Sequence, residues 1–451
     1  MRIISGKYGG RRISPPTNMP HTRPTTDVAK EGLFNILQSR INLDGAKTLD
    51  LFGGTGCISY ELASRGAEQL TIVEKDKTML DFIKKNIDFL QKIFGKKVIL
   101  SSVVKGNAYG HGLAEFVQMA FDNGINHFSV FDVEEAKIVF DTLQNKATIL
   151  IMGFVADEDM EWVIQNQIEF FVFERYRLAK ALKTAKKLEQ KAILHIEVET
   201  GMHRTGFELK NIPRVAKFLA KEKENIYFKG LCTHYAGAES ISNYYRVTQQ
   251  IQQFNKAEAI LNSFGIRPEI KHSACSAASM MFPETRMDLV RIGILQYGLW
   301  PSPEVFVTYL NTKKTKEDPL HRVIRWKTEI MSVKRVKTGE FVGYGTSFMA
   351  TDAMKIATIP LGYAHGYSRS LSNQGRVLVH GKSCRVIGTV NMNMLTIDVS
   401  ELEHVKKGDE VVVIGSQQNA TVTVASFSDY SNQLNYELLT RIAKTIPRKI
   451  I

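Results

Sequence analysis

Five segments of this chain each look like the end of a buried strand running into a loop, and each delivers a residue capable of chemistry. VVKGNAYGHG carries Lys105 and Tyr109, ETGMHRTGF carries Arg204, THYAG carries His234, KHSACSAA carries His272 and Ser276, and VRIGILQYG carries Arg291 and Gly293. A lysine amine can form an imine with an aldehyde once its pKa is lowered. Neighbouring cations and a dry site lower it. Backbone N–H groups at Gly293 and Ile294, with the hydroxyls of Tyr109 and Ser276, would cradle a phosphate. Each residue alone has a plainer reading. Lys105 could be a solvated charge, the glycines of AYGHG a simple turn, His234 and His272 hydrogen-bonded fillers, and Arg291 half of a structural ion pair. Convergence at one place is what favours chemistry.

The elements around these residues predict that convergence. Apolar, β-branched runs occur at 98–105, 127–131, 147–153, 168–173, 192–200, 226–234, 268–273 and 287–293, with helix-like segments between most of them. Such alternation indicates a parallel sheet covered on both faces. Eight strands suit a (β/α)8 barrel of the TIM type, whose active sites gather at the C-terminal strand ends; a doubly wound open sheet is the alternative. After about residue 320 the helical pattern stops. WKTEIMSVKRV, MKIATIPLGY, GRVLVHGKSCRVIGTV and GDEVVVIG read as strands of a separate β domain. Towards the N-terminus, Thr25, Thr26 and Asp27 are candidates to cap a helix to about Gln38. TLDLFGGTG, a helix and QLTIVEKD then form a βαβ opening, and a further helix runs from about Lys77 to Phe94. The fold class is α/β, with expected domains at 1–90, 91–318 and 319–451.

VVKGNAYGHG, TGMHRTGF, HSACSAA, RIGILQYGLWPS, GYGTSF and GYAHGY, in this order and spacing, resemble alanine racemase from about Gly95 to Ile451. The resemblance implies a fold-type III enzyme in which Lys105 binds pyridoxal 5'-phosphate (PLP) covalently. It implies that Tyr344, in VGYGTSF, is a second base contributed to the active site of the other subunit of a head-to-tail homodimer. Alanine would be racemised by a base on each face of Cα, Lys105 on the D face and Tyr344 on the L face, supplying D-alanine for peptidoglycan. A phenol of ordinary pKa near ~10 is a poor base at neutral pH, so Arg291 and His234 would form the network that lowers it. Arg291 would also face the pyridine nitrogen. As a permanent cation it cannot protonate that nitrogen, which weakens the electron sink and limits side reactions. Arg204 would bond the cofactor's phenolic oxygen and steer the substrate carboxylate, which the Met392 backbone N–H would also meet.

The chain departs from the family pattern at several positions. Glu197 stands where many members carry a carbamylated lysine, and its own negative charge would orient Arg204 without modification. Asn393 and His365 replace aspartates, Cys275 replaces an asparagine beside the phosphate, and Lys444 occupies the place of a phosphate-contacting tyrosine. The strand that normally precedes the lysine strand's helix is missing.

Residues 1 to about 90 carry a second resemblance. MRIISGKYGGRRI, TRPTTDVAKEGLFNIL and LDLFGGTGCISYELASRGA resemble the first half of a small-subunit ribosomal RNA guanine-N2 methyltransferase, a partial Rossmann-like fragment. Asp50, Gly53 and Gly56 would belong to the S-adenosylmethionine (SAM) loop, and Glu74 would bond the ribose. The later strands and the Asn-Pro-Pro-Tyr-like segment of that family are absent from the sequence, so no methyl transfer is expected. The KKNIDFL helix suits either family, so the chain reads as a natural fusion or as a joining of two gene fragments at that helix.

Composition narrows the classes. The net charge of +13 is spread: residues 1–92 hold 14 Lys/Arg against 10 Asp/Glu, a net +4. That argues against one dominant nucleic-acid surface, except at the basic N-terminus. No apolar run approaches the ~18 residues of a membrane span, and MRIISGKYGG lacks a signal-peptide core. Cys57, Cys232, Cys275 and Cys384 are scattered, reading as reduced thiols of a cytoplasmic protein with no metal site. The rival functions are an RNA-binding or methyltransferase-related protein acting through the N-terminus, and a non-catalytic PLP-binding protein.

Overall fold

The computed structural model describes residues 2–11, 26–51, 57–67, 69–73, 78–431 and 434–449. The chain divides into two compact units between Thr78 and Met79.

In the first unit, β1 (Lys47–Leu51) and β2 (Gln69–Val73) pair in parallel, Lys47 with Gln69 through Leu51 with Val73. The helix Asp27–Arg40 is capped by the Thr26 hydroxyl, which accepts from the Ala29 N–H. Phe34, Leu43 and Leu62 make a small core. The buried Glu61 carboxylate accepts the N–H groups of Ile4 (2.8 Å) and Ser5 (3.0 Å) and pairs with Arg65 at 2.8 Å.

The second unit contains the barrel. Its strands are β3 (Ile99–Val103), β4 (His127–Val130), β5 (Thr148–Ile151), β6 (Glu169–Val172), β7 (Ala192–Glu197), β8 (Ile226–Cys232), β9 (Ile270–His272) and β10 (Leu289–Ile292). All pair in parallel in the order β10-β3-β4-β5-β6-β7-β8-β9. The ring closes between β9 and β10, where the Asp288 N–H donates to the Lys271 carbonyl and the Arg291 N–H to the Ala274 carbonyl, both at 3.1 Å. The strands are short and almost wholly buried because helices cover the outside while side chains fill the inside. The helix Thr78–Phe94 shows how the cover works: Ile83, Ile87, Leu90 and Phe94 form one apolar stripe that packs into the main core.

A mostly antiparallel sheet follows, built from β11 (Trp326–Glu329), β12 (Ser332–Val336), β13 (Met354–Ile359), β14 (Arg376–Val379), β15 (Lys382–Ile387), β16 (Leu395–Asp398) and β17 (Glu410–Gln417), with β18 (Ala420–Val422) paired to β17. Its order is β11-β17-β14-β15-β16-β13-β12. WKTEIMSVKRV therefore supplies two strands at opposite ends of the sheet rather than one. The C-terminal part is not helix-free either, since Val424–Ser431 and Asn435–Arg441 are helices. Eight and seven residues are too few for helical periodicity to stand out in sequence. Among the described residues, no helix is long and apolar enough to cross a membrane.

Candidate active site

The strand β3 ends by breaking a steric rule. From Gly106 to Tyr109 the backbone takes a left-handed turn, with φ of 64°, 57°, 51° and 52°. L residues resist this conformation, so it must be held from outside. The Glu135 carboxylate does so, accepting the Gly106 N–H at 2.6 Å on one oxygen and the Phe131 N–H at 3.0 Å on the other. The Asn107 side chain accepts from the Leu113 N–H at 3.0 Å. From the β domain, Arg448 donates to the Gly110 carbonyl at 2.8 Å. A Cβ on Gly110 would lie 1.9 Å from the Leu439 carbonyl oxygen.

This turn starts at Lys105. Desolvation and the charges of Arg204 and Arg291 lower the lysine pKa, and Glu135 works against them. Neighbouring atoms desolvate the amine, but the residue as a whole is exposed in a single chain, so the dry site expected from the sequence is not complete there. His234 stands among the same three cations. Burial, then Arg291, Arg204 and Lys105, push its pKa down to about 3, leaving it neutral. Arg291 is 4% exposed. Its Nη2 donates to the Thr233 carbonyl at 2.6 Å and the Ser273 carbonyl at 3.2 Å, and its Nη1 donates to His272. Arg204 lies on a loop that the Glu199 carboxylate organises by accepting the N–H groups of Gly201 (2.5 Å) and Arg204 (3.3 Å). Arg204, Glu197 and His234 line one small cavity. Glu197 makes no ion pair with Arg204, and its Oε2 is buried without a hydrogen-bond partner. Burial raises its carboxyl pKa, opposed by the Thr205 hydroxyl and by Arg291 and Arg204.

Tyr109, Ser276 and Gly293 also meet. The Gly293 N–H donates to the Ser276 Oγ at 2.9 Å, so it is already engaged and leaves the serine hydroxyl proton free to point elsewhere. A Cβ on Gly293 would lie 2.6 Å from the Tyr109 hydroxyl, so the glycine opens the cradle. Ile294, buried, begins a 3-10 turn within which its N–H has no partner. Tyr436 packs its ring 5.9 Å from that of Tyr109. This tyrosine was not singled out from sequence, whereas Lys444, which was, is exposed. Glu135, Glu199 and Tyr436 are the residues that sequence reasoning missed here. Only Glu199, two positions beyond Glu197 where β7 has ended, carried a local signal, as a second carboxylate at the strand-to-loop junction.

Tyr344 and Met392 are not brought to Lys105 within one chain. Both are exposed, Tyr344 at 76% and Met392 at 56%, on the β domain. Their loops are neighbours: the Ser347 and Thr389 hydroxyls hydrogen-bond at 3.0 Å. Phe341 and Met349 are exposed on the same segment as Tyr344. In the first unit, Asp50 lies in β1. Gly53, Gly56 and Glu74 fall outside the described residues.

Comparison with known proteins adds a family signal. The alanine racemase N-terminal domain matches residues 79–301 and the alanine racemase C-terminal domain residues 323–450. A methyltransferase-like family described as conserved hypothetical protein 95 matches residues 1–110. The alanine racemase of Leptospira interrogans serovar copenhageni is 32% identical over 82% of this chain and 93% of its own length. That of Methanococcus maripaludis is 34% identical over 82% of this chain and 96% of its own. Among solved structures, the alanine racemase of Bacillus anthracis with bound L-Ala-P superposes with a TM-score of 0.73 at 29% identity, covering 81% of this chain and 91% of that one. The alanine racemase of Streptomyces lavendulae gives 0.75 at 27% identity, covering 82% and 94%.

Proposed function

Because the chain belongs to the alanine racemase family and is an isomerase of that kind, we propose that its reaction runs on PLP held by Lys105, with Lys105 and a partner's Tyr344 as the two bases. The observation that carries this reading is the gathering of Lys105 with Arg204, His234 and Arg291, where desolvation and the two arginine charges lower the lysine pKa, beside the opened cradle at Gly293.

The donor set fits an anionic aldehyde cofactor. Tyr109, Ser276, the Ile294 N–H and Tyr436 would hold its phosphate, Lys105 its aldehyde carbon, and Arg291 its ring nitrogen. When bound, the cofactor acidifies the substrate Cα–H by drawing off its electrons. Lys105 moves the proton on one face of Cα. The downward shift of its pKa favours the uncharged amine that a base requires. Arg204 takes the substrate carboxylate as a planar fork, assisted by the Met392 N–H. Glu197 faces the same cavity as Arg204 but does not pair with it in a single chain. Neutral His234 accepts a hydrogen bond rather than adding a fourth cation.

Tyr344 supplies the opposite face from a second copy of the chain, in a head-to-tail homodimer. Its exposure together with Met392, Phe341 and Met349 supports this, since a solvent-facing apolar set suits an interface. The first unit carries no methyl transfer on this reading. Its described strands number two, and a two-stranded parallel sheet leaves both edges open.

The purified chain should show an absorbance band near ~420 nm that Lys105→Ala removes, and should exchange the α-proton of either alanine enantiomer. A band without exchange would leave a cofactor-binding protein. Methyl transfer to ribosomal RNA would favour the N-terminal reading instead.

A further inference from the structure

The inside of the barrel is not filled by aliphatic side chains alone. A file of buried polar groups runs down from Arg291 to the opposite end. Arg291 Nη1 donates to His272 Nδ1. His272 Nε2 lies 2.8 Å from His195 Nδ1, and His195 Nε2 lies 2.7 Å from Glu169 Oε2. His127 Nε2 stands 3.7 Å from the same oxygen, and its Nδ1 bonds Ser101 at 2.9 Å. Glu169 and His127 open their strands, so they sit away from the mouth.

We propose that Glu169, acting through His195 and His272, is a positioning residue that fixes Arg291 by dictating the tautomer of both imidazoles. The argument needs only donor and acceptor inventories. A guanidinium has donors and no acceptor, and an ionised carboxylate has acceptors and no donor. With Arg291 donating at one end, His272 Nδ1 must be bare, so its proton is on Nε2. That proton points at His195 Nδ1, which must also be bare. The His195 proton is then on Nε2 and points at Glu169. With both ends fixed and both rings neutral, one arrangement satisfies every contact.

Three further observations support it. Glu169 is ionised: burial alone would raise its carboxyl, but the His127 and His195 ring nitrogens beside it hold it well below the usual carboxylate range. Arg291 has no carboxylate within ion-pair distance among the described residues, so its nearest wired countercharge is Glu169. The room for His195 is built in, because a Cβ on Gly230 would lie 2.0 Å from His195 Nδ1. The Phe171 ring packs on the same file, 5.8 Å from His272 and 5.8 Å from the Arg291 guanidinium.

The consequence rests on the reading above, in which Arg291 faces the cofactor ring. Nη1 and Nη2 are spent on the barrel, which orients the remaining Nε. Glu169→Gln keeps the shape but loses the direction. Its amide can donate to His195 Nε2, which reverses both rings and sets the His272 Nδ1–H against Arg291.

The test is 15N NMR of holoenzyme labelled only at histidine, near neutral pH, with His195→Gln and His272→Gln assigning the signals. The wild type should show both rings as single Nε2–H tautomers. Glu169→Gln should give mixed tautomers and lower kcat about tenfold, with KM for alanine within about twofold and Glu169→Asp partly restoring kcat. An Nδ1–H in either wild-type ring overturns the proposal, and this decides the matter even if Glu169→Gln does not fold. So does a fall in kcat without a tautomer change, or a tautomer change without a fall. Absence of the ~420 nm band from the wild type would defeat the cofactor reading while leaving the tautomer result to stand on its own.

Discussion

Glu135→Gln removes one of the two oxygens that hold the lysine turn in its left-handed path. Asn107, Ala108 and Tyr109 are non-glycine residues in that path. Asn107 tolerates it, while Ala108 and Tyr109 each cost ~1–2 kcal/mol, so the turn stores about 2–4 kcal/mol of strain. The carboxylate accepts the Gly106 N–H at 2.6 Å and the Phe131 N–H at 3.0 Å, one on each oxygen. A glutamine can accept only one of them and sets its own NH2 against the other. The lost charge-assisted bond is worth ~1.5–3 kcal/mol, a large part of the stored strain. If the turn must be formed to receive the cofactor, PLP affinity should fall about 10- to 150-fold, at ~1.4 kcal/mol per decade. A second effect has the opposite sign. Glu135 raises the Lys105 pKa, so its loss should move the pH midpoint of cofactor capture downward. Titration of apoenzyme with PLP near ~420 nm, together with hydrogen exchange at the Gly106 amide, measures both. Affinity within about twofold and unchanged exchange at Gly106 would refute the claim that this carboxylate holds the turn.

Other expectations follow from the same geometry. Gly293→Ala places a methyl 2.6 Å from the Tyr109 hydroxyl; PLP affinity should drop at least about tenfold with the melting temperature nearly kept, and an unchanged affinity would remove Tyr109 from the cradle. Mixing inactive Lys105→Ala and Tyr344→Ala chains should restore about a quarter of wild-type activity, because half the dimers are mixed and each has one whole site; no recovery after verified subunit exchange would exclude a shared site. Burial lowers the pKa of His111 to about 4 and, with nearby cations, that of His234 to about 3. Unfolded histidines take protons at the ordinary ~6.5, so stability is full above that pH and is lost as pH falls, by up to ~1.4 kcal/mol per unit for each. The urea midpoint should therefore decline between about pH 7.5 and pH 5 and flatten in His111→Gln; a pH-independent midpoint would mean that these rings are not buried neutral.

The barrel was legible because its strands are continuous β-branched runs. ATILIMG at 147–153 became Thr148–Ile151, and HFSVF at 127–131 became His127–Val130. The residues at the strand ends were legible for the same reason, since a barrel gathers them at one mouth. What lay inside the barrel was not. His127, Glu169 and His195 read as interruptions of apolar runs, and nothing local says that they face one another across four strands. The turn at 106–109 was only half legible: Gly106 and Asn107 tolerate a left-handed backbone, but Ala108 and Tyr109 resist it, and a carboxylate about thirty residues further along the chain helps to hold them there. Tyr344 was named only through resemblance, because nothing in the spacing of its own segment connects it with Lys105.

The grip of Leu439, Thr440 and Arg448 on the lysine turn has a consequence for how this enzyme can be divided. The Leu439 carbonyl fills the space above Gly110, Thr440 sits over Gly106, and the Arg448 guanidinium is tied to the Gly110 carbonyl. The turn that carries Lys105 is thus shaped by a segment more than three hundred residues away, and a barrel expressed without that segment would keep the lysine but not its pose. Cutting the chain between its barrel and its C-terminal sheet would then separate a lysine from the brace that shapes its turn, even if each half survived as a folded body.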